Sequence, residues 1–408
     1  MQRKEVNKLD YRKLFINYEN KLCTSLNYKD MPMLMDYVYY CYYLSRIENN
    51  YTYYEKSKQA FQYIMKNINS FKLGLSSFNG LLGLAYLYRA LYHKVNDTFI
   101  IKIEDYLKFQ VKGIFYNYDW KSEGMLYKLY DIFTGISGIG RYFLLYERDE
   151  KFVLFCIKQL MEIVFYDDNL FGFKEILNKD SQKVESINWG LSHGLISVGV
   201  FLSDCIKKGY NDEKIKICVE KIILMYLNNY RYENGIINWP SVSIIKKDGI
   251  IPEWSWRMSW CYGNIGILRS LYLISNNIKN SELSKFVLEH LETIISSNLE
   301  NMNLVCSTFC HGLSAPMVIM KFFSNEIGKE DMKAKTLLFS KDIERRILNN
   351  YNPKFKYGFC KYEKYNNEIL EIYENTSILE GITSIYVSLI LSNYEIEEDI
   401  FSKEAFIR

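Results

Sequence analysis

One short pattern recurs along the chain and limits the folds open to it. A glycine beside small or apolar residues opens an apolar stretch of roughly ten residues. It appears at Phe78-Asn79-Gly80-Leu81-Leu82-Gly83, Ile136-Ser137-Gly138-Ile139-Gly140 and Ser192-His193-Gly194-Leu195-Ile196-Ser197. It appears again at Cys261-Tyr262-Gly263-Asn264-Ile265-Gly266, Cys310-His311-Gly312-Leu313-Ser314-Ala315 and Leu379-Glu380-Gly381-Ile382-Thr383-Ser384. Aligned on glycines 80, 138, 194, 263, 312 and 381, five of the six carry a small residue three positions later. The spacing, 49 to 69 residues, exceeds that of common solenoid units and leaves room for two helices per unit.

Between the motifs lie amphipathic segments, among them Phe152–Phe165, Lys214–Leu227 and Leu283–Ile295. Each unit therefore pairs one strongly apolar, motif-led helix with one amphipathic helix. Only five prolines in 408 residues agree with an all-α fold of long helices. Apolar helices pack inside and amphipathic ones outside. A closed ring brings the loops before all the inner helices to one end. An open solenoid keeps only neighbouring units together, the third to fifth included. Upstream, Leu34–Leu44 is apolar almost all round and residues 52–69 are more amphipathic, which predicts a buried helix and then a surface one.

Two of these motifs carry metal-binding chemistry. Cys261, Cys310 and His311 offer two thiolates and one imidazole, a donor set suited to Zn2+. Three protein ligands leave a coordination position open, as a catalytic zinc requires. Adjacent residues diverge by about 100° on a helix, so Cys310 and His311 can share a metal only on an irregular turn. The glycine that follows each element, Gly263 and Gly312, fits such a turn. Because free cysteine is among the most buried residue types, ordinary core thiols are the competing explanation. Two thiolates make a less Lewis-acidic metal than three histidines would, which favours thiol chemistry over hydrolysis.

Composition excludes several classes. The net charge of +3, without a long basic run, gives no basis for nucleic-acid binding. Nine scattered cysteines and a charged N-terminus without an apolar core argue against a secreted disulfide scaffold. No uncharged apolar run reaches the ~18 residues needed to span a bilayer, so a cytoplasmic protein is expected, with peripheral attachment to the inner membrane face left open. The 36 tyrosines and 24 phenylalanines read as packing between helices. No low-complexity linker divides the chain, so residues 1–408 are expected to form one domain. A small insertion is expected around residues 234–253, where Ile236–Trp239 and Val242–Ile245 suggest a hairpin. Phe355–Leu370 reads as a second long connection.

Taken together, Gly190-Leu191-Ser192-His193-Gly194, Trp260-Cys261-Tyr262-Gly263, Cys310-His311-Gly312 and Asp131 within Tyr130–Gly138 resemble the lanthionine synthetase C family, the lantibiotic cyclases. The resemblance runs from about residue 73 to the C-terminus, and the length suits a stand-alone bacterial member. It implies an α,α-toroid with zinc on Cys261, Cys310 and His311. The implied substrate is a precursor peptide whose Ser and Thr have been dehydrated by a separate dehydratase. Addition of its Cys thiols to dehydroalanine or dehydrobutyrine gives thioether rings, and an exporter of the same pathway is a further implied partner. The family's acid–base histidine corresponds to His193, and Asp131, Arg257 and Tyr262 match its other polar site residues.

The residues suit that chemistry. Attack on the β-carbon builds an enolate, which needs a stabilising group and a proton donor. His193 is the natural donor, because imidazole titrates near neutral pH. Asp131 can orient it, or serve equally as a helix cap. Arg257 can stabilise the enolate, or equally pair with Glu253. Tyr262 stands out from the other tyrosines only by its place between Cys261 and Gly263. Trp254, Trp256 and Trp260 are expected to wall the pocket. A zinc–thiol binding protein for glutathione or peptide would use the same ligands without needing His193 and Asp131. A glycosidase on Asp131 and Glu380 would leave the Cys–Cys–His set without a purpose, and a prenyltransferase-like site usually adds a second subunit and a carboxylate ligand.

Overall fold

Apolar runs of this length cannot stay in water, and each of the six becomes a helix buried nearly all round. A computed structural model describes residues 10–48, 51–93, 97–119, 126–167, 170–179, 182–365, 368–373 and 375–408. The chain opens with α1 (Tyr11–Thr24), α2 (Met31–Glu48), α3 (Tyr51–Lys66), α4 (Leu81–Tyr92) and α5 (Thr98–Asn117). It continues with α6 (Ile136–Leu145), α7 (Glu150–Ile163), α8 (Leu195–Lys207), α9 (Glu213–Asn228) and α10 (Asn264–Ile278). Last come α11 (Ser281–Ile295), α12 (Ser314–Glu326), α13 (Glu330–Asn349), α14 (Ile382–Asn393) and the short α15 (Ile400–Glu404). In α6 every residue from Ile136 to Leu144 is buried. In α11 only Leu283, Val287, Leu291 and Ile294 are, one stripe at helical spacing. Each such side chain contributes about 1.5–3 kcal/mol when fully buried.

The inner ring has seven helices rather than the six the motifs mark. Helices α4, α6, α8, α10, α12 and α14 pack in succession, and α2 closes the circle between α14 and α4. Helix α2 has no glycine motif, but every residue from Leu34 to Leu44 is buried. The amphipathic helices pack outside, α3 on α2, α5 on α4, α7 on α6, α9 on α8, α11 on α10 and α13 on α12. This is an α,α-toroid. The loops before the inner helices gather at one end and bond to one another around it. Ser77 N donates to Phe133 O (3.0 Å), Leu191 N to Cys261 O (2.8 Å), Met258 N to Met302 O (3.0 Å) and Cys310 N to Leu379 O (3.1 Å). Ile378 N donates to Asp36 Oδ1 on α2 (2.7 Å), which completes the circuit.

The glycines act differently from the expectation. Gly80, Gly194, Gly263 and Gly381 are N-caps with φ between −126° and −100°, a region open to any residue. What excludes a side chain is close approach. A Cβ on Gly263 would lie 2.2 Å from Ser259 N and 2.3 Å from Ser259 O, and one on Gly312 would lie 2.4 Å from Cys306 O. The second motif is also in a different register, because Gly135, not Gly138, caps its helix. Gly138 then aligns with Gly83 and Gly266, so all six motifs carry a small residue three positions after the glycine.

The C-terminal segment binds inner helices from several sides of the ring. Arg141 donates to Lys403 O (2.6 Å) and Arg408 O (2.7 Å), Trp260 Nε1 to Ala405 O (2.9 Å) and Arg269 Nε to Ile407 O (2.8 Å). Phe401, Phe406 and Ile407 are buried there.

Strands fill three connections. The hairpin of β1 (Phe165–Asp167) and β2 (Leu170–Gly172) precedes β3 (Glu175–Lys179) and β4 (Gln182–Asn188). β5 (Arg231–Glu233) pairs with β6 (Ile236–Asn238), and β7 (Pro240–Lys246) with β8 (Gly249–Trp254). An antiparallel sheet runs in the order β3-β4-β7-β8, so the expected pairing of 236–239 with 242–245 is not the one formed. β9 (Lys361–Tyr365) and β10 (Glu368–Tyr373) form a last hairpin that begins within the predicted second connection, Phe355–Leu370, and runs past its end. Among the described residues no helix is long and apolar enough to cross a membrane.

Candidate metal centre and its acid–base neighbours

The loops before α10 and α12 bring Cys261, Cys310 and His311 together with their ligand atoms all within 4.8 Å of one another. Cys310 Sγ lies 3.8 Å from His311 Nε2. Ligands on a tetrahedral zinc sit about 3.5–3.8 Å apart, given bonds of ~2.1–2.3 Å, a spacing the Cys310–His311 pair already has. Cys310 and His311 meet because they stand on a turn ahead of the helix, as their adjacency demands. Both cysteines are buried and His311 is half-buried.

The electrostatics separate this cluster from the core thiols. Burial is the main cause that pushes Cys156, Cys205 and Cys218 up. Burial opposes ionisation of Cys261 too, but hydrogen bonds from Cys310 and His311, with the charges of His311 and Arg257, hold it well below the usual thiol range. The Cys261 partner and burial push Cys310 up, and the bond to Cys261 raises His311 against its burial. The loop thus stabilises negative charge on sulfur at a buried point, which is what a cation-binding site needs. Arg257 turns toward that charge, its terminal nitrogen 3.8 Å from Cys261 Sγ. Its Nε is buried without a partner.

On the same end of the ring, the loops before α6 and α8 place Asp131 against His193. Asp131 Oδ2 lies 2.8 Å from His193 Nδ1. Asp131 Oδ1 accepts from the backbone N–H of Phe133 (3.1 Å), Thr134 (2.8 Å) and Gly135 (2.8 Å). Asp131 is therefore both the turn cap and the histidine's partner. The His193 ring packs on Tyr127 (4.5 Å), Phe133 (5.0 Å) and Tyr262 (6.5 Å between centroids). Its side chain stays 28% exposed, open to a substrate, whereas Asp131 is 1% exposed.

Tyr262, pushed up to about 12 by burial, accepts a hydrogen bond from Asn188 Nδ2 (3.2 Å). A cavity of about 380 Å³ beside His311 is lined by Trp256, Arg257, Asn303, Lys361 and Tyr362 among others. Of the three tryptophans expected to wall the pocket, only Trp256 lines it. Trp260 is buried toward the C-terminal segment, and Trp254 lies over Arg231 (4.3 Å). A larger hollow of about 1020 Å³ on the four-stranded sheet shares no residue with this centre.

The seven polar residues that sequence reasoning singled out, Cys261, Cys310, His311, His193, Asp131, Arg257 and Tyr262, gather at this end of the ring; Asn188, Tyr127 and Lys361, also there, were not among them. Asn188 stands two residues before Gly190, so the motif around His193 could have been read further upstream. Nothing local marks Tyr127 or Lys361, which fold positions from elsewhere.

The comparisons bear on the family and the fold. The family model described as lanthionine synthetase C-like protein matches residues 37–403, which includes most of α2. The nisin biosynthesis protein NisC of Lactococcus lactis subsp. lactis is 24% identical over 380 residues, covering 86% of this chain and 82% of that one. A solved structure of nisin cyclase superposes with a TM-score of 0.75 at 20% identity, covering 97% of this chain and 96% of the other, a likeness of fold. The chain belongs to the lanthionine synthetase C-like family.

Proposed function

We propose that this protein is a zinc-dependent peptide cyclase that adds Cys thiols of a dehydrated lantibiotic precursor to dehydroalanine or dehydrobutyrine, forming lanthionine and methyllanthionine rings. The observation that carries the reading is the meeting, at one end of the ring, of a three-ligand Cys–Cys–His cluster with a carboxylate-held histidine. Zinc on Cys261, Cys310 and His311 would supply a deprotonated peptide thiol in its open position. Residues 10–408 act as one domain in this reading, since α2 and the C-terminal segment both complete the ring.

The reaction is an isomerisation. The thiol proton is lost, sulfur bonds to the β-carbon, and the alkene electron pair moves onto the carbonyl oxygen as an enolate. The α-carbon then takes a proton. Asp131 accepts from Nδ1, so Nε2 of His193 is the atom that exchanges that proton. Arg257, with an unused buried Nε, offers a donor to the developing oxyanion. Trp256 forms part of the wall of the cavity beside His311. The substrate must come from a dehydration of Ser and Thr, so a separate dehydratase acts upstream.

A non-catalytic zinc–thiol protein for glutathione or peptide is the alternative, and the Asp131–His193 pair has no task in it. The test is to incubate a small amount of protein with excess dehydrated precursor and count free thiols by alkylation and mass spectrometry. Multiple turnovers support the cyclase. Thiol protection no greater than the amount of protein, with no thioether in the released peptide, supports the binding protein.

A further inference from the structure

The four-stranded sheet is wired into the site. β4 ends at Asn188, paired with Val242 of β7, and five residues later the chain supplies His193. The Asn188 side chain is 5% exposed and its orientation is determined by its partners. Gly190 N–H donates to Asn188 Oδ1 (3.1 Å), so the amide oxygen is occupied and the nitrogen faces Tyr262 Oη (3.2 Å). Asn188 therefore donates and Tyr262 accepts, which leaves the phenolic proton free for another acceptor. On one side the Tyr262 ring is closed off by Gly190. A Cβ on Gly190 would sit 2.6 Å from its Cδ1, so the ring lies directly on that glycine. Behind Asn188, the buried Glu175 of β3 accepts from the Tyr130 hydroxyl, one residue before Asp131.

We propose that Asn188 is a positioning residue that makes the Tyr262 hydroxyl a hydrogen-bond donor to the carbonyl oxygen of the dehydroamino acid, where negative charge builds. The inference rests on the cyclase reading, with Tyr262 at the substrate. It assigns the inserted sheet a part in catalysis, since β3 and β4 deliver Asn188 and its support. The proton remains on Tyr262 throughout; only its direction is set.

The test compares Tyr262→Phe, Asn188→Leu and the double variant on dehydrated precursor, with zinc content measured for each. Removing one donor to an oxyanion typically costs about 10²-fold or more in kcat. Tyr262→Phe is expected to lower kcat by about 10²-fold with KM and zinc unchanged, and Asn188→Leu by about 10-fold or more in the same way. The double variant should be no slower than Tyr262→Phe by more than about twofold. Asn188→Asp keeps the shape and the bond from Gly190 but offers Tyr262 an acceptor, and it too should lower kcat. It decides the matter if Asn188→Leu fails to fold. Full kcat in the Asn188 variants beside a slow Tyr262→Phe overturns the proposal, as do additive losses in the double variant. Full kcat in Tyr262→Phe overturns the placement of Tyr262 at the substrate instead. Ring formation by none of the proteins, wild type included, overturns the cyclase reading itself.

Discussion

Asp131 Oδ2 and His193 Nδ1 lie 2.8 Å apart although 62 residues separate them in sequence. The other oxygen of the same carboxylate is held by three backbone N–H groups of its own turn. The carboxylate cannot rotate without giving up those bonds. The imidazole is thus met by a fixed acceptor, which sets its tautomer before any substrate arrives.

Asp131→Asn tests that role directly. The amide oxygen can keep the three backbone bonds, but its nitrogen then donates to Nδ1 and forces the proton onto Nε2. Ring formation is expected to fall by ~10²-fold or more with the fold retained. Asp131→Ala should also lose stability, by about 1–3 kcal/mol, as bonds to a charged cap are lost. Rates on dehydrated peptide and urea unfolding curves separate the two effects.

Gly263→Ala should cost the metal site without touching a ligand. The added methyl would stand 2.2 Å from Ser259 N and 2.5 Å from Arg257 O, so the turn carrying Cys261 has to move. Metal analysis is expected to show zinc well below the wild-type level. Wild-type zinc in this variant would mean that the turn has slack the geometry does not show.

Arg269 ties the C-terminal segment to the ring. It is fully buried, pairs with both oxygens of Glu326 at 2.7 Å and donates to Ile407 O. Arg269→Met leaves that carbonyl and Glu326 without their partner, and should lower unfolding free energy by ~3 kcal/mol. Chemical denaturation measures it. A change below about 1 kcal/mol would show the segment to be dispensable for the ring.

Glu404 gives a pH dependence with a defined sign. Burial is the main cause that pushes its carboxyl up to about 8, although Tyr39 and the Phe78 N–H bond to it. An unfolded chain releases this proton near pH ~4.5, so between there and about 8 the folded state holds a proton the unfolded state has lost. The contribution to stability is complete below that window, falls as pH rises through it, and levels off above it. The slope is at most about 1.4 kcal/mol per pH unit. Glu404→Gln should remove this slope from a pH series of denaturation midpoints. Parallel curves for the two proteins would contradict the assignment.

The glycine motifs made the inner helices legible, and the Cys–Cys–His set made the candidate metal centre legible, because both are written as short sequence patterns. The seventh inner helix was legible only as a buried helix. Leu34–Leu44 is as apolar as the others, but no glycine motif precedes it to mark it as part of the ring. The register of the second motif was misplaced because Gly135 and Gly138 both precede apolar residues, and only the backbone of residues 130–132 tells which one caps. The sheet was the least legible part. β3 and β4 are rich in Lys, Asn and Glu, and their pairing partner β7 lies more than fifty residues away. Asn188 and Glu175 were hidden for that reason: their meaning depends on strand pairing, not on spacing.

The most direct measurement sets His193→Asn beside Cys261→Ala on the same dehydrated precursor, reading zinc content and free thiols together. Mass alone is silent, because cyclisation leaves it unchanged. His193→Asn is expected to keep its zinc, its helical spectrum and its peptide binding, while ring formation falls by ~10²–10⁴-fold. Cys261→Ala should lose zinc and ring formation together. If His193→Asn lost zinc as readily, His193 would be a fourth ligand, no position would remain for a substrate thiol, and the account of an open catalytic centre would be contradicted.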